Sequence, residues 1–194
     1  MEHIYFDHAA TTPVDGRVLE KMLPYFTEKF GNPNSQHWFG RETVAAVDEA
    51  RDTIAKLIGA KPAEIYFTSG GTEADNWALR GAAHAYKDRG RHLIVSAVEH
   101  PAMIATAKEL IREGFDVTFA EVDEYGKVDL VKLKKAVRSD TVFIGVMTAN
   151  NEVGTIQPIA EISAFAKERG IVFFTDAVQA AGALPIHVKS PAVD

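Results

Sequence analysis

The residues best suited to bind a ligand follow directly after short apolar runs of the sequence. One such run, 65–68, leads into Ser69-Gly70-Gly71-Thr72-Glu73-Ala74 and then into a helical pattern. The glycine amides and two hydroxyl groups would face an anion at the start of that helix, which predicts a phosphate-binding turn. The alternative is that Thr72 or Ser69 only caps the helix while the glycines form a tight turn.

A histidine and a carboxylate follow two further apolar runs. His100 comes after the run 93–96 and before Pro101, which suits the first turn of a helix, so its side chain could face a ligand ring. The alternative is an ordinary loop or N-cap histidine. Asp176 directly follows the run 171–175. A carboxylate at the end of an apolar strand needs a cationic partner such as a protonated pyridine nitrogen. The alternative is that Asp176 caps a short helix after it.

Paired asparagines follow the apolar run 142–146. Asn150 and Asn151 lie with Gly154 in the segment 147–155, which is typical of a turn that points amides at a ligand, although it also suits a simple loop. Ligands of open parallel sheets bind at the carboxyl ends of the strands. We therefore expect these segments to meet at one edge of a sheet.

The apolar runs alternate with helical patterns along most of the chain. The runs 65–68, 93–96, 117–119, 142–146 and 171–175 predict parallel strands, and helices are predicted over 72–88, 101–113, 129–137 and 158–169. The fold class is therefore α/β, with a mostly parallel, doubly wound sheet and helices on both faces. The first sixty residues differ, with helices predicted over 15–29 and 36–58 around the loop 31–35.

Composition excludes several functions. The net charge of −6 is spread along the chain, so we expect no nucleic-acid partner. The chain has no cysteine, and its seven histidines show no paired ligand spacing, so we expect no metal. The motifs G-x-S-x-G, G-K-[ST] and G-x-G-x-x-G are missing, and no run predicts a membrane span or a signal peptide, which predicts a cytoplasmic protein.

Six segments in one order make the chain resemble cysteine desulfurases of the NifS and IscS type, which are class-V aminotransferase relatives. The matching segments are 5–13, 30–35, 68–76, 99–100, 150–154 and 176–179. The resemblance implies the cofactor pyridoxal 5'-phosphate (PLP), the substrate L-cysteine and sulfur transfer for iron–sulfur cluster or related assembly. It also implies the large domain of the aspartate-aminotransferase-like fold over 15–194, with residues 1–14 in a small domain.

The resemblance also assigns roles by position. Gly71 and Thr72 would hold the PLP phosphate, His100 would stack on the pyridine ring with possible acid–base action, and Asp176 would pair with its nitrogen N1. Gln179 would bond the phenolic oxygen of PLP, and Asn151 would lie near that oxygen and the substrate carboxylate. The family is usually homodimeric, and a sulfur-acceptor scaffold is a further expected partner.

Three residues of the family pattern have no counterpart in this chain. They are the lysine that forms the Schiff base with PLP, the cysteine that carries the persulfide, and a C-terminal arginine. We expect Lys189 to be a solvated surface lysine rather than a substitute, and the chain alone to be inactive. It is then a fragment, a truncated product, a non-catalytic PLP-binding or interacting remnant, or half of a split enzyme with a partner chain. A selenocysteine lyase or another class-V relative is an alternative that the segment 150–154 disfavours.

Overall fold

A computed structural model describes residues 3–194 and divides into two compact units, one up to Tyr66 and one from Phe67 onward. The first unit is helical. It contains α1 (Gly16–Met22), α2 (Pro24–Thr27), α3 (Trp38–Ile58) and a short 3-10 helix (Pro62–Glu64). Gly59 follows α3 as its C-cap, and its left-handed φ of 73° is readily adopted by glycine.

The single helix predicted over 15–29 is in fact two short helices. Asp15 caps α1 by accepting a hydrogen bond from the Arg17 amide, and Pro24 is the first residue of α2. Proline has no amide hydrogen to continue the α1 ladder, so it ends one helix and begins the next. The assignment of 1–14 to a small domain and 15–194 to a large domain stays a prediction, and residues 1 and 2 lie outside the described residues.

The second unit is built on a parallel sheet. Its strands are β1 (His92–Ser96), β2 (Asp116–Ala120), β3 (Thr141–Gly145) and β4 (Val172–Phe174). They lie in the order β2-β1-β3-β4, and every neighbouring pair is parallel. Strands β1, β3 and β4 are therefore direct neighbours, which brings their carboxyl ends side by side.

Helices cover both faces of this sheet. They are α4 (Gly71–Ala85), α5 (Pro101–Arg112), α6 (Leu130–Ala136) and α7 (Ile159–Glu168). Side chains alternate along β1, so Leu93 packs in the cluster that contains Leu79 and Met103, whereas Ile94 packs with Leu133 and Ile162. The predicted α/β fold is confirmed. Within residues 3–194, no helix is long and apolar enough to cross a bilayer.

The strand predicted over 65–68 is wrong. The segment is extended, but it belongs to no ladder of the sheet described for residues 3–194. Tyr66 is 68% exposed and Phe67 is 49% exposed, unlike the fully buried residues of β1. A β-branched and aromatic run becomes a strand only where a neighbouring strand supplies backbone hydrogen bonds.

Candidate functional site

The carboxyl ends of β3 and β4 continue as a pair beyond the sheet. The Val146 amide donates to the Phe174 carbonyl at 3.1 Å, and the Thr148 amide donates to the Asp176 carbonyl at 2.7 Å. The hydroxyl groups of Thr148 and Thr175 lie 2.7 Å apart. These contacts fix Asp176 beside the loop that follows β3.

Asp176 begins a turn rather than a helix. Its Oδ1 accepts a hydrogen bond from the Val178 amide at 2.8 Å, and residues 178–180 form the turn. The alternative that Asp176 caps a short helix was therefore correct about the local capping bond and wrong about the helix. Gln179 lies half-buried in the same turn, so two of the predicted site residues are brought together here.

Helix α4 begins without a side-chain cap. Its N-cap is Gly70, and among residues 3–194 no side chain accepts a hydrogen bond from the first amides. Ser69 donates instead, through its hydroxyl and its amide, to Glu73 Oε2 at 2.7 Å each. The alternative that Ser69 or Thr72 caps this helix is therefore wrong, and the amides of the first turn are left for another acceptor.

The start of α4 lies close to the turn after Asp176. A Cβ atom placed on Gly71 would lie 3.3 Å from Val178 Cγ2, tighter than ordinary contact. Thr72 follows on the exposed side of the first turn. The predicted phosphate residues and the predicted N1 partner therefore belong to one neighbourhood of the second unit.

His100 is the N-cap of α5. Its Nδ1 accepts a hydrogen bond from the Ala102 amide at 3.2 Å, and the side chain is exposed. This is the geometry of the N-cap alternative. It does not conflict with ring stacking, because the capping bond lies in the plane of the imidazole and leaves its faces free of that bond.

The asparagine loop is held by Asn150 rather than by Asn151. Asn150 is 6% exposed, donates to the Val98 carbonyl at 2.9 Å, and accepts from the Glu152 and Val153 amides at 2.9 Å each. Asn151 is half-buried, and its Nδ2 donates to Glu152 at 3.3 Å. Both asparagines line a cavity of about 540 Å³.

Two further acidic residues near this edge have raised pKa values. Burial, followed by repulsion from Asp176, raises the pKa of Asp75 to about 6, while His100 acts in the opposite direction. Burial raises the pKa of Glu99 to about 7, with smaller contributions from Asp176 and Asp75. Asp176 therefore raises the pKa of both acids, which places the three carboxyl groups in one electrostatic environment.

Sequence reasoning gave no role to Asp75 or Glu99. A signal for Asp75 was present, because it lies on the same buried helix stripe as Leu79 and Ala83, at spacings of four. Glu99 lies three residues after the end of β1, which is the kind of position from which the other candidates were chosen. Lys189 is exposed, as predicted.

Comparisons with known proteins identify the family. The family described as aminotransferase class-V matches residues 4–194. The chain belongs to this family. A relative of this class-V chain is the "Putative cysteine desulfurase IscS 1" of Bacillus subtilis (strain 168), with 55% identity over 100% of this chain and 51% of the relative. The chain thus spans about half the length of the curated relatives it matches.

Solved structures agree with this assignment. A "NIFS-LIKE PROTEIN" matches with a TM-score of 0.96 and 42% identity over 100% of this chain and 54% of that one. A structure named "SspA in complex with cysteine" matches with a TM-score of 0.94 and 39% identity over 98% of this chain and 55% of that one. The predicted resemblance and the predicted PLP-transferase fold are confirmed.

The residues of this class-V chain fit the PLP of its family. The uncapped first turn of α4 suits the phosphate, since backbone amides at a helix N-terminus bind anions. The Asp176 carboxylate suits a protonated ring nitrogen, which would also relieve the repulsion that Asp176 exerts on Asp75 and Glu99. The acidic groups and the open amides thus match the cationic ring and the anionic phosphate of one molecule.

Proposed function

We propose that this chain forms the PLP-binding half of a cysteine desulfurase that converts L-cysteine to L-alanine and passes on the sulfur. The observation that carries the proposal is the meeting of Asp176 with the uncapped start of α4, where Gly71 packs close to Val178. An anion site and a half-buried carboxylate in one neighbourhood suit a phosphorylated cationic ring better than a simple anion.

Each predicted site residue then has a defined task. The amide of Gly71 and the amide and hydroxyl of Thr72 would bind the phosphate, and Asp176 would keep the ring nitrogen protonated. A ring protonated in this way would supply an electron sink for the substrate. His100 would cover one face of the ring. Its capping bond to Ala102 limits the rotation of the imidazole and so supports a fixed stacking position.

Two neutral amides complete the proposed site. Gln179 lies three residues after Asp176 in the same chain segment, where it would bond the phenolic oxygen. Asn151 would lie near that oxygen and the substrate carboxylate. Its position depends on Asn150, which anchors the loop through bonds to three backbone groups.

The lysine, the sulfur-carrying thiol and the substrate-binding arginine must come from further residues of a longer protein or from a partner chain. This follows for the thiol because the 194 residues contain no cysteine. Exposed apolar side chains of the first unit support burial against more protein, among them Phe6 (86%), Phe26 (70%) and Leu57 (73%). A homodimer, a sulfur-acceptor scaffold and a cytoplasmic location stay predictions.

The test is a PLP titration of the purified chain followed by absorbance, with cysteine turnover measured as alanine formed. We expect binding of PLP and no turnover without a chain that supplies lysine and cysteine. Asp176→Asn should weaken binding by about 10-fold or more, because a charge-assisted bond contributes about 1.5–3 kcal/mol. Borohydride reduction followed by peptide mapping should leave no specific adduct.

The control is Asp88→Asn, which changes an exposed aspartate beyond the end of α4 and should bind as the unchanged chain does. If the unchanged chain and Asp176→Asn bind PLP with equal affinity, the assignment of Asp176 as the partner of the ring nitrogen is refuted. Specific PLP binding without turnover even after addition of the complementary half would instead favour a non-catalytic PLP-binding protein.

A further inference from the structure

Glu99 connects the ends of two neighbouring strands. It follows β1, and its side chain is 6% exposed. Its Oε1 accepts one hydrogen bond from the Ser96 hydroxyl and one from the Met147 amide, each at 2.6 Å. Ser96 ends β1, and Met147 lies in the loop after β3. A single carboxyl oxygen therefore joins the segment before His100 to the segment before Asn150.

The second oxygen of Glu99 has an unusual environment. Oε2 is buried and has no hydrogen-bond partner among residues 3–194. Within the same residues, no ion pair includes Glu99. An ionised carboxylate without a cation is strongly disfavoured in such a place, whereas a neutral carboxylic acid is tolerated far better.

The charges around Glu99 act in the same direction. Asp75 on α4 and Asp176 after β4 both raise its pKa, and the hydrogen bonds from Ser96 and Met147 only partly offset the effect of burial. Burial and two neighbouring acids thus outweigh the two hydrogen bonds that Glu99 accepts, a setting that favours the protonated carboxyl group.

We propose that Glu99 is a positioning residue whose protonated carboxyl group holds the strand end that carries His100 against the loop that carries Asn150 and Asn151. Its effect on the cofactor is indirect, through the residues on either side of the link. The effect of this link on PLP binding rests on the proposed function. The hydrogen bonds and the proton of Glu99 do not depend on the cofactor.

The first test follows the Met147 amide by ¹H–¹⁵N NMR as pH is raised from 5 to 9 without cofactor. We expect its shift to titrate with a midpoint near pH 7. Glu99→Gln resembles the protonated acid in shape and should abolish this titration while keeping the amide near its low-pH position. Glu168→Gln, which changes an exposed residue of α7, should leave the titration unchanged.

The second test compares PLP affinity at pH 7 in three forms of the chain. Glu99→Gln should bind within about 2-fold of the unchanged chain, and Glu99→Ala should bind at least about 10-fold more weakly, the loss expected from roughly 1.4 kcal/mol. A Met147 amide that titrates equally in Glu99→Gln, or one whose shift stays constant and differs from that in Glu99→Gln at every pH, would overturn the proposal. So would a loss of PLP affinity in Glu99→Gln as large as in Glu99→Ala.

The two tests separate this inference from the proposed function. If the unchanged chain fails to bind PLP, the proposed function fails, and the Met147 titration alone decides whether Glu99 links the strands as a protonated acid. If PLP binds and the Met147 shift differs from that of Glu99→Gln at every pH, the proposed function stands and the role of Glu99 is rejected. If Glu99→Ala does not fold, Glu99→Gln still decides both measurements.

Discussion

Replacing Asp75 by asparagine should stabilise the chain at neutral pH and leave its stability unchanged in acid. Asp75 is 3% exposed, and its pKa rises from an ordinary 3.8 to about 6, chiefly through burial and then through repulsion by Asp176. The folded form therefore binds the Asp75 proton more tightly than the unfolded form does. The associated stability is fully present below about pH 4 and is lost as pH rises through about 6.

The magnitude follows from the pKa difference between 3.8 and about 6. At about 1.4 kcal/mol per pKa unit, the burial of the ionised carboxylate lowers the free energy of unfolding by up to about 3 kcal/mol above pH 7. The amide introduced by Asp75→Asn would carry no charge at any pH, so this loss would not occur in the variant. For a protein of this size, about 3 kcal/mol corresponds to a Tm higher by about 6–12 °C.

The assay is thermal unfolding followed by circular dichroism at pH 4, 6 and 8. The Tm difference between Asp75→Asn and the unchanged chain should be near zero at pH 4 and largest at pH 8. Asp88→Asn, an exposed aspartate beyond the same helix, should show no such trend. A Tm difference that is the same at all three pH values would refute the assignment of a raised pKa to Asp75.

Two further substitutions test groups that hold the sheet and its loop. Asn150→Ala removes a buried bond to Val98 and two bonds from loop amides, so it should lower the free energy of unfolding by about 2–4 kcal/mol in urea unfolding and speed hydrogen exchange of those amides. His92 is buried between the hydroxyls of Thr141 (2.7 Å) and Thr118 (2.9 Å), and burial lowers its pKa. Its contribution to stability is therefore present above pH 6.5 and is lost as pH falls below that value. His92→Phe should reduce the decrease in the free energy of unfolding between pH 7 and 5, measured by urea unfolding at each pH. The same decrease in the variant and the unchanged chain would contradict this interpretation.

The strands that sequence predicted correctly are those with neighbours in the described sheet. Runs such as 93–96 and 142–146 became β1 and β3 because parallel partners pair with them on both edges. The run 65–68 has a similar composition but remains outside the ladders described. Strand pairing is a long-range property, so local composition can indicate a candidate strand and cannot supply its partner.

The sequence by itself determined the order of strands and helices from α4 onward, the family resemblance, and the positions of Gly71, His100 and Asp176 after apolar runs. These features depend on local chemistry, such as the bare amides of glycine and the alternation of apolar residues. Only the tertiary structure decided that α4 begins uncapped beside the turn after Asp176, and that Asp75 and Glu99 share its environment. A pKa depends on burial and on charges from distant segments, and these are set when the parallel strands align their carboxyl ends at one edge.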